Sequence, residues 1–439
     1  MSYAKQFTAL DDLLSSSRAL WQVKAFEAGA LPWQDEFPRL AEQLWQIDDE
    51  ELDSLDSDSI ALHVRLTPAL EADLAAKGMV WPLSLLKTLA AGLAPSELAP
   101  SELAPSEPRH SELAPEDLAE QSADEGCGGL SESELGHFSA HIKGRKWQQI
   151  LAFAARVTPG DDEILEWCAG KGHLGRLLAK GQSRTVVSLE WQQGLCEAGS
   201  QFAHQWQLPQ RFVCGDALSE SAQQLLKREQ QAVALHACGE LHLSLLRGAA
   251  KARTRALAVA PCCYHLIGDT HYKPLSSLAK KSELLLSKHD LQLPLQRSVI
   301  ANAKARALRL KEVAWRLGFD CLQRDLTGSS HYLPIPAVKQ SQLSGSFREF
   351  CVWAAEQKQV KLPEQWDEAH YLEKGFERQR LTRRIDLVAH LFREALELWL
   401  LLDRVCFLQE QGYEVSLGAF CDLQVTPRNG LILARLPSC

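Results

Sequence analysis

Three glycines mark the first place in the sequence where residue spacing indicates chemistry. Gly170, Gly172 and Gly175 form the pattern G-x-G-x-x-G, directly after the apolar run 164–169 and directly before a helical pattern. Glycines at a strand-to-helix turn permit a tight bend and let a ligand approach the backbone N–H groups at the helix N-terminus. The pattern alone is weak evidence, so the carboxylates around it must decide which ligand it suits.

Carboxylates near the glycines favour one nucleotide-like cofactor over another. Glu190 ends the second apolar run, where it can accept hydrogen bonds from the ribose hydroxyls of NAD or of S-adenosylmethionine. Glu166 lies before the glycines, where it suits an ammonium group and would repel a pyrophosphate. Asp216 follows the third apolar run, where it can accept a hydrogen bond from the adenine amino group. The predicted S-adenosylmethionine site consists of Glu166, Gly170, Gly172, Glu190, Asp216 and Ala217.

The segments HACG (236–239) and PCCYH (261–265) end the fourth and fifth apolar runs. Ligands of an open parallel sheet bind at the carboxyl ends of its strands, so both segments are expected to face the methyl group of the cofactor. We favour a role for His236, Tyr264 and His265 in positioning or deprotonating the methyl acceptor. Attack of a Cys262 thiolate on a pyrimidine ring and a purely structural role are the alternatives. No metal site is predicted, because the segments lack a C-x-x-C pair and adjacent cysteines rarely both reach one tetrahedral ion.

Alternating strand and helix patterns supply the elements that would position these residues. Short apolar runs separated by helical patterns are typical of buried parallel strands in a doubly wound α/β sheet. Two later runs, 413–422 and 429–436, predict a closing antiparallel hairpin, which an all-parallel NAD-binding domain would not need. Strands are predicted at 164–169, 185–190, 211–217, 232–239 and 256–263, and helices at 137–157, 172–180, 192–206, 218–229, 240–250, 299–317, 345–358 and 380–411.

The chain of 439 residues divides by composition into three parts. Residues 1–92 show helical spacing, whereas residues 93–130 contain three LAPSE repeats and predict a linker that buries little apolar surface. Residues 131–439 form the predicted catalytic domain, with a helical insertion at about 299–411. The sequence shows neither a long uncharged apolar run nor a signal peptide, and its twelve cysteines have no disulfide spacing. We therefore expect a cytoplasmic protein with no membrane partner.

Several of these motifs together resemble a known family. The run E-x-C-A-G-K-G-H-L, the HACG and PCCYH segments, and the closing segments LLLDRVCFLQEQGYEV and FCDLQVTPRNGLILA resemble a cysteine-rich branch of class I methyltransferases. That branch includes methyltransferase-like proteins of the ribosomal RNA adenine dimethylase domain-containing type and, more distantly, a tRNA 2′-O-methyltransferase. The resemblance covers about residues 137–439 and implies a Rossmann-like class I fold that binds S-adenosylmethionine. It does not extend to the Cys/His zinc-finger spacing of the tRNA-modifying members, which the N-terminal region lacks.

Uneven charge and three basic runs favour RNA as the methyl acceptor. Residues 1–130 carry a net charge of −16 and residues 131–439 a net charge of +7, and a basic body suits a polyanion. The first run, beside Trp147, suits a phosphate backbone with a stacked base. The alternatives are a methyltransferase acting on protein or small molecules and a cofactor-binding protein without turnover. The runs contain Lys143, Arg145 and Lys146; Lys304, Arg306, Arg309 and Lys311; and Arg378, Arg380, Arg383 and Arg384.

Overall fold

The computed structural model describes residues 2–90, 132–296 and 303–437. The predicted linker at 93–130 and the start of the predicted helix 299–317 lie outside these residues. Two compact units divide the chain. The first comprises residues 1–11, 92–295 and 397–439, and the second comprises residues 12–91 and 296–396, as far as each is described.

Seven strands in the first unit form one mixed sheet. They are β1 (Glu163–Trp167), β2 (Val186–Glu190), β3 (Gln210–Cys214), β4 (Gln230–Cys238), β5 (Ala256–Cys262), β6 (Glu414–Ala419) and β7 (Gly430–Arg435). Their order is β3-β2-β1-β4-β5-β7-β6. The first five strands are parallel, whereas β7 runs antiparallel to both β5 and β6. This confirms the predicted doubly wound α/β sheet with its closing antiparallel hairpin, the class I methyltransferase topology.

The helices, in chain order, follow the predicted pattern in most places. They are α1 (Tyr3–Ser16), α2 (Arg18–Trp21), α3 (Pro38–Gln46), α4 (Asp49–Ser57), α5 (Ser59–Ala76), α6 (Leu83–Ala90), α7 (Glu132–Ser139), α8 (Gly144–Ala154), α9 (His173–Gly181), α10 (Gln193–Gln205), α11 (Glu220–Gln223), α12 (Glu240–Ala252), α13 (Ala303–Thr327), α14 (Phe347–Lys358), α15 (Glu368–Ala389) and α16 (Arg393–Glu410). None of these described helices has the length and apolar character needed to cross a lipid bilayer.

Three predicted helices differ from the observed ones for local reasons, and the helix predicted at 299–317 continues to Thr327. The helix predicted at 137–157 is two helices, α7 and α8, because His141 between them has a φ of +64°. The helix predicted at 218–229 is the single turn α11, and the Lys227 N–H then donates to the Gln230 side chain at 3.1 Å as the chain turns into β4. The helix predicted at 380–411 begins earlier, at Glu368, and a 3₁₀ turn over His390–Phe392 separates α15 from α16.

Apolar side chains from α8, α9 and the central strands form the main core of the first unit. Every residue of β2 is buried, which is why a continuous apolar run is its sequence signal. The core cluster includes Ile150, Phe153, Ile164, Leu174, Leu177, Val186, Val233, Ala258 and Phe420. This packing fixes α8 and α9 against the sheet and so fixes the loops at its carboxyl edge.

The second unit is helical and contains the close pairing of α13 with α15. Glycines allow this approach, since a Cβ on Gly375 would collide with the Ala314 carbonyl and would lie 2.9 Å from the backbone nitrogen of Gly318. Aromatic residues surround the crossing: Trp315, Phe319, Phe347 and Phe350 belong to one buried cluster. The insertion helices thus have a core of their own.

Acidic N-terminal helices and basic insertion helices belong to this one unit, although the sequence predicted them as separate regions. Arg383 pairs with Asp53 at 2.6 Å and with Asp49 at 3.4 Å, and Arg306 pairs with Asp53 at 3.4 Å. Part of the charge asymmetry along the chain is therefore balanced inside the second unit. Net charge over a long window does not reveal such pairing, which is why the sequence did not show it.

Candidate active site

The glycine loop lies at the carboxyl edge of the sheet, where β1 adjoins both β2 and β4 and the strand order reverses. Gly170 and Gly172 have φ values of +59° and +66°, and Gly172 directly precedes α9. A Cβ on Gly172 or Gly175 would collide with side chains of the sheet, whereas nothing lies within 4 Å of the Cβ position of Gly170. The loop is packed against the sheet below and open beside Gly170, as a ligand cradle requires.

Glu166 holds this loop from inside the sheet. It is 3% exposed, and its carboxylate accepts hydrogen bonds from the Gly175 N–H at 3.0 Å and the Ser188 hydroxyl at 2.6 Å. Gln210 Nε2 donates to the Ser188 hydroxyl at 2.9 Å and to the Gly172 carbonyl at 3.3 Å. Burial raises the pKa of Glu166 to about 7. The predicted contact of Glu166 with a cofactor ammonium is corrected, because this buried carboxyl is engaged in positioning the loop.

Glu190 is fixed at the end of β2 by two backbone groups. Its carboxylate accepts hydrogen bonds from the Gly170 N–H at 2.9 Å and the Gln192 N–H at 3.0 Å. Each carboxylate oxygen retains a second lone pair for a ligand hydroxyl. Trp191 follows directly and is 70% exposed, so its indole offers apolar surface for a planar base beside this acid.

Asp216 is exposed at the end of β3, and one of its oxygens accepts a hydrogen bond from the Leu218 N–H at 2.9 Å. The adjoining Ala217 is buried, and its carbonyl accepts a hydrogen bond from Ser244 of α12 at 3.1 Å. Cys168 directly follows β1, and burial, with smaller contributions from the charges of Glu190 and Asp216, raises the pKa of its thiol to about 12. Because β1, β2 and β3 are neighbouring parallel strands, their carboxyl ends lie side by side, and the cofactor contacts of Gly170, Glu190, Asp216 and Ala217 stay predictions.

His236 lies at a bulge in β4, where the register with β5 shifts and its own φ is +67°. Its Nε2 lies 2.7 Å from Oε1 of Gln149 in α8. An amide oxygen only accepts hydrogen bonds, so in this arrangement Nε2 carries the proton and Nδ1 presents a lone pair. Burial, with a smaller contribution from the positive charges of Arg428 and Lys146, lowers the pKa of His236 to about 4. His236 is therefore a neutral imidazole at physiological pH.

The HACG and PCCYH segments pack directly on each other. The Gly239 N–H donates to the Cys262 carbonyl at 3.0 Å, and the Glu240 N–H donates to the Leu266 carbonyl at 2.8 Å. A Cβ on Gly239 would collide with the Leu266 backbone, so glycine is required for this contact. The two strand ends therefore pack together at the carboxyl edge of the sheet, and that both face the methyl group of the cofactor stays a prediction.

Tyr264 does not reach that surface. It is 1% exposed, its hydroxyl donates to Glu397 at 3.5 Å, and Arg404 lies 5.2 Å from its ring centroid. Burial raises the pKa of Tyr264 well above its usual value, so the hydroxyl stays protonated. The predicted contact of Tyr264 with the methyl acceptor is wrong, because its side chain belongs to the buried interior. His265, by contrast, is half-buried, and its buried Nδ1 has no hydrogen-bond partner among the described residues.

Cys262 is a poor nucleophile in this structure. It is 1% exposed, and the neighbouring Cys238 and Cys263 thiols, together with burial, raise its pKa far above the usual range. Hydrogen bonds from the Cys238 and Cys262 thiols instead lower the pKa of Cys263, and Arg428 adds to that effect. The three sulfurs lie within 4.8 Å of one another. No metal site was predicted, because the segments lack a C-x-x-C pair and adjacent cysteines rarely both reach one tetrahedral ion; here the adjacent Cys262 and Cys263 do lie in one group of sulfurs.

The first basic run lies exposed at the start of α8. Lys143, Arg145 and Lys146 are exposed, and the Gln149–His236 contact links the same helix to the end of β4. Trp147 is only partly exposed and packs against the core cluster. Part of its ring thus helps to hold α8 on the sheet, and its role as a stacking platform stays a prediction.

The other two basic runs are largely engaged within the second unit. Arg378 pairs with the fully buried Asp320 at 2.6 Å, and Lys311 donates to the Leu343 carbonyl at 2.7 Å. Arg384 is 5% exposed and donates to two backbone carbonyls at the end of α3. These residues stabilise the helices, so the second and third runs lend little support to a nucleic-acid surface.

Sequence reasoning missed four side chains that shape this edge: Gln149, Trp191, Gln210 and Arg428. Trp191 had a usable signal, since an aromatic residue directly after a strand-ending acid is a candidate base platform. The others act across long sequence separations, such as the 87 residues between Gln149 and His236. No local pattern marks such a contact.

Comparison with known proteins identifies the same class of domain. Residues 145–270 match the family described as "Methyltransferase domain", and this range contains β1 to β5 with the whole glycine loop. Solved structures similar to this chain include the YcgJ protein from Bacillus subtilis, at 15% identity and a TM-score of 0.22, covering 25% of this chain and 49% of that one. They also include M. capricolum TrmK in complex with S-adenosylhomocysteine, at 8% identity and a TM-score of 0.21, covering 27% of this chain and 51% of that one.

An rRNA methylase from Streptococcus thermophilus is similar at 12% identity and a TM-score of 0.22, covering 28% of this chain and 73% of that one. The chain spans about half the length of the first two structures. At such scores the likenesses carry no argument of their own. The methyltransferase fold rests on the strand order and on the family match over residues 145–270.

Proposed function

We propose that this protein is an S-adenosylmethionine-dependent methyltransferase that acts on RNA. One observation carries the proposal: an open glycine loop, a fixed carboxylate and an exposed carboxylate meet where the strand order of a methyltransferase sheet reverses. Ligands of open α/β sheets bind at this place. The family match covers the same segment.

The residues present fit this cofactor. The backbone at Gly170 is open to a ligand, and the Glu190 carboxylate can accept hydrogen bonds from ribose hydroxyls. Asp216 and Ala217 follow β3, where they can contact the adenine ring of the cofactor. Trp191 can cover one face of that base. A dinucleotide would bring a pyrophosphate to the same loop, next to carboxylates that repel it. The donor set therefore suits a cationic sulfonium cofactor better than NAD.

When bound, this cofactor supplies an electrophilic methyl group, so the protein must hold the acceptor and manage one proton. His236 is the residue best placed to take that proton, since it is neutral and Gln149 fixes its ring. His265 is a second candidate for contact with the acceptor, because its Nδ1 is buried without a partner among the described residues. Tyr264 and Cys262 are excluded from direct contact by their burial.

RNA is favoured as the acceptor by the positive charge around His236. Lys146 and Arg428 lie close enough to lower its pKa, and Lys143 and Arg145 extend the exposed charge along the start of α8. Cations on a rigid helix beside the reacting edge suit a phosphate backbone. A protein or small-molecule acceptor has no comparable need for this cluster.

Calorimetry on the full chain tests the cofactor. S-adenosylhomocysteine is expected to bind, and Asp216→Ala should weaken its binding about 10- to 100-fold by removing a hydrogen-bond acceptor. Asp161→Ala is the matched control, because Asp161 is exposed at the other end of β1. Binding of NAD without binding of S-adenosylhomocysteine would contradict the assignment.

Transfer of a labelled methyl group tests the acceptor. The full chain is incubated with total RNA or with lysate protein, and label in RNA alone is expected. Changing Lys143, Arg145 and Lys146 to Glu should abolish labelling of RNA while leaving cofactor affinity intact, whereas Lys251→Glu, at the far end of α12, should not. Label in protein would favour the alternative substrate class. Cofactor binding without transfer to any acceptor would favour a protein without turnover.

A further inference from the structure

Cys238, Cys262 and Cys263 converge at the ends of β4 and β5. Cys238 and Cys262 are paired in the strand register, and their sulfurs are 3.4 Å apart. All three sulfurs lie within 4.8 Å of one another. The distance between Cys238 and Cys262 is well beyond that of a disulfide bond, about 2.05 Å. The cluster therefore consists of three free thiols facing a common point.

Backbone geometry explains why two adjacent cysteines face the same point. Neighbouring residues of an extended strand direct their side chains to opposite faces. Cys263 has a φ of +47°, in the left-handed region, and this breaks the alternation directly after β5. The bulge in β4 between Leu235 and Cys238 likewise resets the direction of Cys238. Two local irregularities are thus needed to bring the sulfurs together, and such strain is typical of functional sites.

We propose that these three cysteines bind one thiophilic divalent metal ion of the zinc class. A tetrahedral ion with metal–sulfur bonds of about 2.3 Å separates its ligand sulfurs by roughly 3.8 Å. The observed spacing brackets this value, so small side-chain rotations are sufficient. Thiolate ligands select zinc and other soft ions over magnesium, calcium or manganese.

The charge around the cluster agrees with such an ion. Three thiolates and a divalent cation carry a net charge of −1, and Arg428 Nη1 lies 3.8 Å from the Cys263 sulfur, where it balances that charge. No fourth His, Cys, Asp or Glu atom joins the group among the described residues. Three protein ligands leave one coordination position for a water molecule or another small ligand, the arrangement found in sites with exchangeable coordination.

Cadmium titration of the full chain tests this site without any methyl donor, so its outcome does not depend on the proposed methyltransferase activity. The protein is purified metal-free with a non-thiol reductant, and thiolate-to-cadmium charge-transfer absorption is followed. We expect one cadmium ion per chain, displaced by zinc. Cys263→Ser should weaken binding by more than about 100-fold, because loss of a ligand exceeds the effect of losing an outer partner.

Two further variants make the result specific. Cys238→Ser should lose binding to the same extent, and far-ultraviolet circular dichroism before metal addition shows whether each variant is folded. Cys214→Ser is the matched control, because Cys214 is an exposed thiol at the end of β3 and should retain full affinity. The proposal is overturned if the fully reduced protein shows no charge-transfer absorption, or if folded Cys263→Ser binds cadmium as tightly as the parent.

Discussion

Glu166 lies beneath the glycine loop, where burial raises its pKa from 4.5 to about 7. A carboxyl whose pKa is higher in the folded than in the unfolded chain binds its proton more tightly when folded. The contribution of Glu166 to stability is therefore most favourable below about pH 4.5 and falls as the pH rises towards 7. In return the carboxyl accepts hydrogen bonds from the Gly175 N–H and the Ser188 hydroxyl, and so fixes the loop.

Glu166→Gln should remove this pH dependence. The amide keeps an acceptor for the Gly175 N–H but does not ionise, so the stability of the variant relative to the parent should rise by about 3 kcal/mol between pH 4.5 and pH 8. Urea unfolding at several pH values measures it. Glu197→Gln, at an exposed position of α10, is the control and should leave the pH profile unchanged. The expectation would be contradicted if the free energies of unfolding of Glu166→Gln and the parent changed with pH in the same way.

His236→Ala should lower turnover about 10²- to 10⁴-fold with little change in S-adenosylhomocysteine affinity, because the proton acceptor is lost while the cradle is untouched. Since the pKa of His236 is lowered to about 4, turnover should show no inflection near pH 6.5 from this residue. Steady-state kinetics from pH 5 to pH 8 measure both effects. His289→Ala, an exposed histidine, is the control. Equal loss of cofactor affinity and turnover would instead indicate a structural role.

At the scale of secondary-structure elements, the contact of α9 with β1 depends on a missing side chain. Gly175→Ala should destabilise the protein by about 1–3 kcal/mol, since its Cβ would collide with the Glu166 carboxylate and the Gln210 amide. Gly194→Ala is the matched change in α10, where the Cβ meets open space, and it should stabilise by at most about 1 kcal/mol. Thermal unfolding measures both. Equal effects of the two changes on stability would show that the Glu166 and Gln210 side chains move easily to make room for the added Cβ.

The elements themselves were largely predictable from the sequence. Strands buried on both faces produce continuous apolar runs, and β2 is such a strand. The glycine loop was found because its spacing is fixed by the turn between β1 and α9. Left-handed residues such as His141 and Cys263 were not predictable, since cysteine has no preference for a positive φ and the enrichment of histidine there is too weak to mark one position. The break between α7 and α8 and the convergence of the thiols were missed for that reason.

At the scale of the whole molecule, charge had to be interpreted in three dimensions. Counting residues showed an acidic front third and a basic remainder, and favoured a polyanionic partner. The structure shows that several arginines of the insertion pair with Asp49, Asp53 or backbone carbonyls inside the second unit. Only pairing information, which composition does not contain, separates such structural cations from those at the start of α8.

Arg384→Ala should therefore destabilise the second unit by about 2–4 kcal/mol, because the carbonyls of Leu44 and Ile47 lose their donors in a buried place. Arg380→Ala, which removes the same charge from an exposed position of the same helix, should change stability by less than about 0.5 kcal/mol. Urea unfolding followed by circular dichroism measures the difference. Loss of RNA binding in folded Arg384→Ala would instead show that this basic run contributes to RNA binding.

The position of β7 governs how the chain can fold while it is being synthesised. β7 lies between β5 and β6, although the ribosome makes it after both of them. At about 5–20 residues per second, β5 waits roughly 10–30 s for this neighbour while residues 263–429 are translated. During that interval its edge presents unpaired N–H and C=O groups, a template for pairing with other nascent chains. Holdase chaperones are thus expected to shield this edge until translation passes Arg435.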